Sequence, residues 1–390
     1  MKKFKFALFA LLLIPCALLI GCGVDTTYTT PLVTVDKIVT SDVQTAINKS
    51  AMSVVSVWTR SRTTAGEEVS TGSGVIYQLD KEKGDAIIIT NYHVLYDTNI
   101  IDAGHISGEI WVELYGSEST TVANTMNGVV VQKGAQAIDV KFIGGSLSYD
   151  LALLKVENSN VLKESYARAV EFSPTQPHLG QTAIAIGNPL GYGISATTGI
   201  ISVESEYIMY NDFYNVVVRV TRTDAAINGG NSGGGLFDEQ GRLLGIVNAG
   251  MDNSQGMNSA IPVSLVKSVI NNILHGYNTN SYKGTSSYQF GLEYEPQNSK
   301  GIYDENTGLV YIREDIIVTK AVGASKAFDK GDKIVSAELN GVKHEFSRAF
   351  EIDEFLLKIR AGDTFKMTCV TTGGLFTHTF TANSNDFELV

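Results

Sequence analysis

The sequence predicts a mainly β protein, in which a long block of short strands precedes a smaller block of mixed strands and helix. Two observations support this prediction. Short apolar runs separated by glycine or polar turns, with no helical spacing between them, indicate a β-barrel or sandwich. Beyond residue 288 the pattern changes, and one strong helix appears among the strands. The apolar runs of the first block are 54–58, 74–79, 86–90, 110–115, 139–143, 151–156, 182–186, 199–203, 215–221 and 243–247.

The first 21 residues are typical of the signal peptide of a bacterial lipoprotein. Three lysines precede an apolar run at 6–20, which is shorter than the roughly 20 residues of a membrane-spanning helix. Small Gly21 then stands directly before Cys22. We expect cleavage between these two residues and a lipid on the sulfur of Cys22, with an uncleaved signal anchor as the alternative.

Composition excludes some classes of function. The 390-residue chain has 30 Lys and Arg against 41 Asp and Glu. Loss of the signal peptide would leave 27 basic against 41 acidic residues, a net charge of −14. An acidic chain without a basic block argues against nucleic-acid binding. Cys369 would then be the one cysteine besides Cys22, so no internal disulfide is expected, and a small buried residue is the simplest role for it.

The remaining patterns predict the order of the segments. Residues 22–41 have no helical period and suit a tether, and 42–49 can form a short helix. Apolar residues at helical spacing after Pro262 predict a second helix, which runs into a polar stretch at 277–287. We therefore expect a first domain at 42–276, a linker at 277–287 and a second domain at 288–390. The helix of the second domain, at about 350–360, should end before Gly362.

One glycine-rich segment predicts a nucleophile. In Gly230-Asn231-Ser232-Gly233-Gly234, small neighbours leave a serine hydroxyl and backbone N–H groups free to converge on one carbonyl group. A serine hydroxyl reacts only with the help of a base. Upstream, His93 follows one apolar strand and Asp150 precedes another.

The order His93, Asp150, Ser232 is that of a chymotrypsin-type catalytic triad. In this interpretation Ser232 attacks a peptide carbonyl, His93 transfers the proton, and Asp150 orients the imidazole ring. The N–H groups of Gly230 and Ser232 are the candidate oxyanion donors. No metal ligand set and no cofactor is predicted.

Another fold also uses a serine within this pattern. The nucleophile elbow of α/β-hydrolases requires a helix directly after the serine and a histidine last in the chain order. Here glycines, a turn and a strand follow Ser232, so this alternative fails. Each triad member taken alone also has an ordinary structural explanation, in a hairpin turn, at a strand end or in a loop cap. Their joint occurrence at strand edges favours the catalytic interpretation.

The chain resembles the HtrA/Deg-type trypsin-like serine proteases that carry a PDZ domain. The resemblance covers nearly everything after residue 43, and the matching motifs occur in the family's order. They lie at 53–57, 72–75, 90–94, 150–155, 186–191, 198–202, 223–228, 230–234 and 260–262.

The resemblance implies a double β-barrel with the catalytic site in the cleft between the barrels. It also implies that Ile227, Met257 and Ser259 line the pocket for the side chain before the cut. Apolar walls without an aspartate favour small or medium apolar side chains. Asn231 replaces the aspartate of digestive enzymes, so activation by an ion pair with a newly cut N-terminus is not expected.

In the second domain, Phe290-Gly291-Leu292 resembles the loop with which PDZ domains bind a peptide carboxylate. Residues 322–328 depart from the family pattern, and 293–308 are long and polar, so a PDZ fold that has lost its peptide is the alternative.

The resemblance therefore predicts an endopeptidase that a lipid anchors to the extracytoplasmic face of the cell membrane, at the cell surface or in the periplasm. Expected partners are unfolded polypeptides, peptide C-termini at the PDZ domain and two further copies of the chain in a homotrimer. A non-catalytic surface chaperone and a processing protease for one partner remain the alternatives.

Overall fold

The computed structural model describes residues 41–125, 128–210, 216–250 and 256–389. The predicted signal peptide, Cys22 and most of the predicted tether lie outside these residues. The chain from Thr40 to Val390 forms one compact unit. Within the described ranges, no helix combines the length and the apolar character needed to cross a bilayer.

The first part of the fold is an open seven-stranded sheet that curls into a half-barrel, preceded by helix α1 (Asp42–Ala51) and followed by the short helix α2 (Asn160–Glu164). Strand order in the sheet is β7-β4-β1-β2-β3-β9-β8, and β5 pairs with β6 as a separate ribbon. The bounds are β1 (Val54–Thr63), β2 (Gly66–Asp80), β3 (Asp85–Thr90), β4 (Glu109–Leu114), β5 (Thr121–Thr125), β6 (Gly128–Gln132), β7 (Ile138–Asp139), β8 (Lys141–Ser146) and β9 (Leu151–Val156).

The second sheet closes on itself. Its order is β10-β15-β14-β11-β12-β13-β16, and an additional β15–β16 pairing completes a six-stranded barrel. Helix α3 (Val263–Asn278) follows the last strand. The predicted mainly β fold with two barrel-like halves is therefore confirmed. The bounds are β10 (Glu171–Phe172), β11 (Thr182–Gly187), β12 (Ser195–Tyr210), β13 (Val216–Thr223), β14 (Gly235–Phe237), β15 (Arg242–Gly250) and β16 (Asn258–Pro262).

Strand β9 shows how the cores are divided. Its residues are almost continuously buried, and successive side chains point to opposite faces. Leu151 and Leu153 pack in the cluster shared with the second barrel and α3, whereas Ala152 and Leu154 pack inside the first half. The strand that follows Asp150 is therefore held on both faces.

The last part of the chain is a smaller α+β arrangement around its own aromatic core. The sheet order is β18-β19-β20-β22-β23, with β21 on β20, and β17 pairs separately with β24. Phe290, Phe355, Phe365 and Phe380 pack together at its centre. The bounds are β17 (Ser286–Tyr288), β18 (Leu292–Asp304), β19 (Leu309–Ala321), β20 (Lys333–Leu339), β21 (Val342–Glu345), α4 (Phe350–Leu356), β22 (Thr364–Thr371), β23 (Gly374–Thr381) and β24 (Phe387–Leu389).

Helix α4 packs against the two-barrel part of the molecule. Leu357, just beyond the helix, belongs to the core cluster around α3. The side-chain amide of Asn272 donates hydrogen bonds to the carbonyl oxygens of Ser286 and Leu357, at 2.8 and 2.9 Å. Arg219 of β13 and Glu354 of α4 form a buried ion pair. The interface therefore combines apolar packing with satisfied buried polar groups.

Candidate active site

His93 and Asp150 lie at the same end of two neighbouring strands of the first sheet. His93 follows the end of β3 by three residues, and Asp150 directly precedes β9. These two strands are antiparallel neighbours, with Thr90 opposite Ala152. The side-chain amide of Asn91 also donates to the carbonyl oxygen of Asp150 at 2.8 Å. The pairing of the strands thus brings together two residues that are far apart in the chain.

The imidazole of His93 is held by the carboxylate of Asp150. Nδ1 of His93 lies 2.8 Å from Oδ2 of Asp150, and the backbone N–H of His93 donates to Oδ1 at 3.0 Å. The two side chains are only 16% and 11% exposed. A neutral ring that donates from Nδ1 carries its lone pair on Nε2, which is the nitrogen that acts as a base.

The electrostatics of the pair favour a more basic ring. Burial lowers the pKa of His93, because desolvation disfavours the charged imidazolium. The charge of Asp150 and the hydrogen bond to it act in the opposite direction and prevail, so the pKa of His93 is raised above its usual 6.5. The ring is thus a better proton acceptor than an isolated buried histidine.

Asn248, which is not among the residues predicted from the sequence, links the aspartate to the serine. Its side-chain amide donates to Oδ2 of Asp150 at 2.6 Å, and its backbone carbonyl accepts a hydrogen bond from the Ser232 hydroxyl at 2.8 Å. β15 shifts register between Val247 and Ala249, so Asn248 is at an irregular position where the strand redirects a side chain. Its position directly after the predicted strand at 243–247 was the available signal.

The turn that carries Ser232 is fixed by Ser73, another residue that the sequence analysis missed. The Ser73 hydroxyl donates to the carbonyl oxygen of Gly230 at 2.7 Å, and the Ser73 N–H donates to the carbonyl oxygen of Ser232 at 2.8 Å. Gly233 has a φ of +87°, and a Cβ there would lie 2.1 Å from the carbonyl oxygen of Ser73. The close approach of these two segments therefore requires a glycine at 233.

The candidate oxyanion donors are free to bind a ligand. The carbonyl oxygen of Gly229 accepts a hydrogen bond from the N–H of Leu190 at 2.8 Å. Because a trans peptide places C=O and N–H on opposite sides, the N–H of Gly230 points away from Leu190. In the described part of the chain, neither this N–H nor that of Ser232 has an acceptor. Two unpaired donors beside a nucleophile can stabilise a developing oxyanion.

The residues predicted to line the specificity pocket do not all lie on the same face of the second barrel. Ile227 is buried in the second barrel with Val247 and Ala260. In β16, alternation places Asn258 on the same face as Ala260, whereas Ser259 faces the other side. The Asn258 amide donates to the carbonyl oxygen of Ala225 at 2.8 Å. Asn258 is therefore on the face of β16 that carries Ala260, which packs in the same cluster as Ile227, and half-buried Met257 directly precedes the strand.

The predicted carboxylate loop has mixed exposure. Phe290 is buried in the aromatic core, and Leu292 is half-buried at the start of β18. Gly291 between them has a φ of +76°, and its carbonyl oxygen accepts hydrogen bonds from the Val322 N–H and the Ser325 hydroxyl, at 2.8 and 2.7 Å. Ser325 therefore anchors this loop.

Comparison with known proteins identifies the family. A family model described as a trypsin-like peptidase domain matches residues 72–246. The serine protease Do-like HtrA of Bacillus subtilis (strain 168) is 31% identical over 344 residues, which cover 84% of this chain and 67% of that protein. The chain belongs to the HtrA family of serine proteases. As an HtrA-family protein it is a serine endopeptidase.

Further comparisons agree with the HtrA assignment. The serine protease Do-like HtrA of Lactococcus lactis subsp. lactis (strain IL1403) is 30% identical over 267 residues, 60% of this chain and 57% of that protein. The chain thus spans between 57% and 67% of the length of these two HtrA relatives. A solved HtrA-type protease, AlgW with tripeptide, has a TM-score of 0.53 and 24% identity, covering 88% of this chain and 97% of that one. This likeness supports the fold.

Proposed function

We propose that the chain is a lipid-anchored endopeptidase that cleaves unfolded or damaged polypeptides outside the cytoplasm, with its last domain binding peptide. The observation that carries the catalytic part is the series of hydrogen bonds from His93 through Asp150 and Asn248 to Ser232. It joins a base, its orienting acid and a hydroxyl at the boundary of the two barrels.

In this mechanism Oγ of Ser232 attacks the scissile carbonyl carbon. Its proton, which in the free enzyme is donated in a hydrogen bond to the Asn248 carbonyl oxygen, passes to Nε2 of His93. The C–N bond breaks as His93 returns the proton to the leaving amine. A water molecule then attacks the acyl carbon, and His93 accepts the proton of the water. The bond to Oγ of Ser232 breaks as His93 returns this proton to Oγ. Asp150 keeps the ring oriented and stabilises its charged form, and the N–H groups of Gly230 and Ser232 bind the oxyanion.

The substrate class follows from the pocket and the fold. Buried Ile227 and half-buried Met257 offer apolar walls, and Asn258 adds a neutral polar group without a negative charge. A pocket without a carboxylate does not compensate the charge of Lys or Arg, so we expect cleavage after Val, Ala or Leu. A triad at the boundary of two barrels is reached by an extended segment of substrate, which unfolded chains supply.

Peptide binding by the last domain is supported by its architecture. β18 is an edge strand, and an extended peptide can add to an exposed sheet edge. The neighbour AlgW, which shares the fold, is described with a tripeptide. Lipid on Cys22 would keep the enzyme at the membrane, and Cys22→Ser is expected to move the protein from the membrane fraction to the soluble fraction.

Cleavage of unfolded casein by the purified full-length chain tests the catalytic proposal. We expect fragments and labelling by a fluorophosphonate probe with the unchanged protein, and neither with Ser232→Ala. Ser202→Ala, which replaces a serine in β12, is the matched control and should keep both signals. Absence of cleavage and of labelling, with and without a C-terminal peptide, together with suppressed aggregation of casein, would favour the non-catalytic chaperone instead.

A further inference from the structure

A cavity of about 170 Å³ lies between the protease half and α4. From the protease half it is lined by Tyr149, by Tyr207 of β12 and by Arg219 of β13. From the last domain it is lined by Phe350, Asp353 and Glu354 of α4. Its volume suits one side chain rather than a whole small molecule.

The charges around this cavity do not balance. Arg219 pairs with Glu354, and Ser264 also donates to the same Glu354 oxygen at 3.0 Å, so this buried carboxylate is neutralised. Asp353 is exposed, and no positively charged group of the described residues forms an ion pair with it. The Tyr294 hydroxyl donates to Oδ1 of Asp353, while Oδ2 has no partner among the described residues. One carboxylate oxygen is therefore left for a ligand. Desolvation raises the pKa of Asp353, and a bound cation would favour its charged form.

Aromatic rings surround this charge. Tyr149 and Tyr207 line the cavity from one side, and Tyr294 contacts Asp353 directly. Phe350 lines the other side, where its ring already holds the guanidinium group of Arg219 at 3.9 Å, so the tyrosines supply the free ring faces. Burial raises the pKa of Tyr149 to about 12, and the nearby charge of Asp353 acts in the same direction. A carboxylate among aromatic faces favours an ammonium or guanidinium group, because ring faces attract cations and the carboxylate accepts their hydrogen bonds.

A peptide can reach this site from the edge of the sheet. β18 is the outermost strand, so its free backbone groups can pair with an added strand. The contact between Tyr294 and Asp353 shows that the first half of β18 runs beside α4. Side chains of an added strand alternate in direction, so one of them would point from the edge of β18 towards α4 and the cavity.

We propose that the cavity between α4, Tyr149 and Tyr207 binds the Lys or Arg side chain of a peptide paired with β18. The inference rests on the proposed function of the last domain and names the ligand that it selects. The protease half supplies two of the tyrosines, so the site is complete only when the domains are docked. Tyr149 lines the cavity and directly precedes Asp150 in the sequence. A cation bound in the cavity would therefore contact the neighbour of a triad residue.

Matched peptides test this proposal on the full chain with Ser232→Ala, which binds without cutting. Three acetylated alanine hexapeptides end in valine with a free carboxylate and carry one lysine at the second, third or fourth position from the end. Each has a norleucine counterpart of similar length without the charge. We expect one lysine peptide to bind about 5- to 30-fold tighter than its counterpart by calorimetry, and this preference to weaken at high salt.

Two variants locate the preference. Asp353→Asn should abolish it while leaving the affinity for the norleucine peptide unchanged, which also shows that the variant is folded. Asp329→Asn removes another exposed carboxylate of the same domain and should preserve it. Equal binding of every matched pair, binding of no peptide, or a lysine preference that survives Asp353→Asn would each overturn the proposal. Casein cleavage by the unchanged enzyme is a separate result, so the catalytic proposal can hold when this one fails.

Discussion

The side-chain amide of Asn248 donates a 2.6 Å hydrogen bond to Oδ2 of Asp150. The same oxygen contacts Nδ1 of His93, so one carboxylate oxygen has two donors. The backbone carbonyl of Asn248 also accepts the Ser232 hydroxyl. Asn248 therefore fixes the orientation of the acid and the resting position of the nucleophile, although it takes no part in bond making.

Asn248→Ala should lower kcat about 10- to 100-fold, because a hydrogen bond to a charged group contributes about 1.5–3 kcal/mol. The backbone carbonyl remains, so KM for a short apolar peptide should change little. Steady-state kinetics on such a peptide measures both constants. Asn258→Ala, in the neighbouring strand, should instead alter KM. An unchanged kcat in Asn248→Ala would show that Asp150 is adequately held by His93 alone.

The pH profile should report the raised pKa of His93. The ring must be neutral to accept the proton, so kcat/KM should rise with pH through an apparent pKa above 6.5 and then reach a plateau. Asp150→Asn removes the charge that raises this pKa while burial still lowers it, so the midpoint should move to lower pH. The plateau should fall by about 10⁴-fold, since the ring loses its correct tautomer. A midpoint that does not move would contradict this account.

Gly230 and Gly229 form a matched pair for testing the oxyanion donors. Gly230 has a φ of +94°, and a Cβ there would lie 2.4 Å from the carbonyl oxygen of Asn188. Gly230→Ala should displace the peptide and lower kcat by about 10²–10³-fold. A Cβ at Gly229 meets no atom within 4 Å, so Gly229→Ala should keep most activity. Equal losses in the two variants would mean that the donor lies elsewhere.

The Arg219–Glu354 ion pair should make a large contribution to the packing of α4 against β13. The two side chains are 4% and 9% exposed, so Arg219→Leu leaves a buried, unpaired carboxylate and should cost about 3–5 kcal/mol in the free energy of unfolding. Arg219→Leu combined with Glu354→Leu should recover most of this loss.

A neighbouring ion pair serves as the control. Arg222 pairs with Glu206 at 27% and 26% exposure, so Arg222→Ala should cost at most about 1 kcal/mol. Urea unfolding followed by circular dichroism compares the variants. If Arg219→Leu were no more damaging than Arg222→Ala, the domains would be held mainly by apolar contacts such as those of Leu357.

Much of the fold could be predicted because local patterns report it. The predicted strand at 151–156 is confirmed as Leu151–Val156, and the helix after Pro262 is confirmed as Val263–Asn278. Helix α1 also begins where expected. The helix of the last domain, expected to reach about residue 360, ends at Leu356. Ile359 lies beyond the end of the helix but is buried in the same core. The spacing of apolar residues therefore extends past the helix, and a helix predicted from this spacing is too long.

Other features have no local signature. Ser73 and Asn248 act through hydrogen bonds to residues 157 and 98 positions away, so neither residue is marked by its neighbours in sequence. The boundary predicted at 277–287 stays a prediction, since the chain from Thr40 to Val390 forms one compact unit. The side of β16 on which Asn258 and Ser259 lie depends on the pairing of β16 with β13 and β15.

By itself, the amino-acid order determined which chemical groups the protein has and at which strand edges they stand, because alternation, glycine content and motif order are properties of short segments. Only the tertiary structure decided which oxygen accepts which hydrogen bond, and which distant residues line a common cavity. Those relations depend on packing between segments distant in the chain, where distances of a few tenths of an ångström select the partner of each polar group.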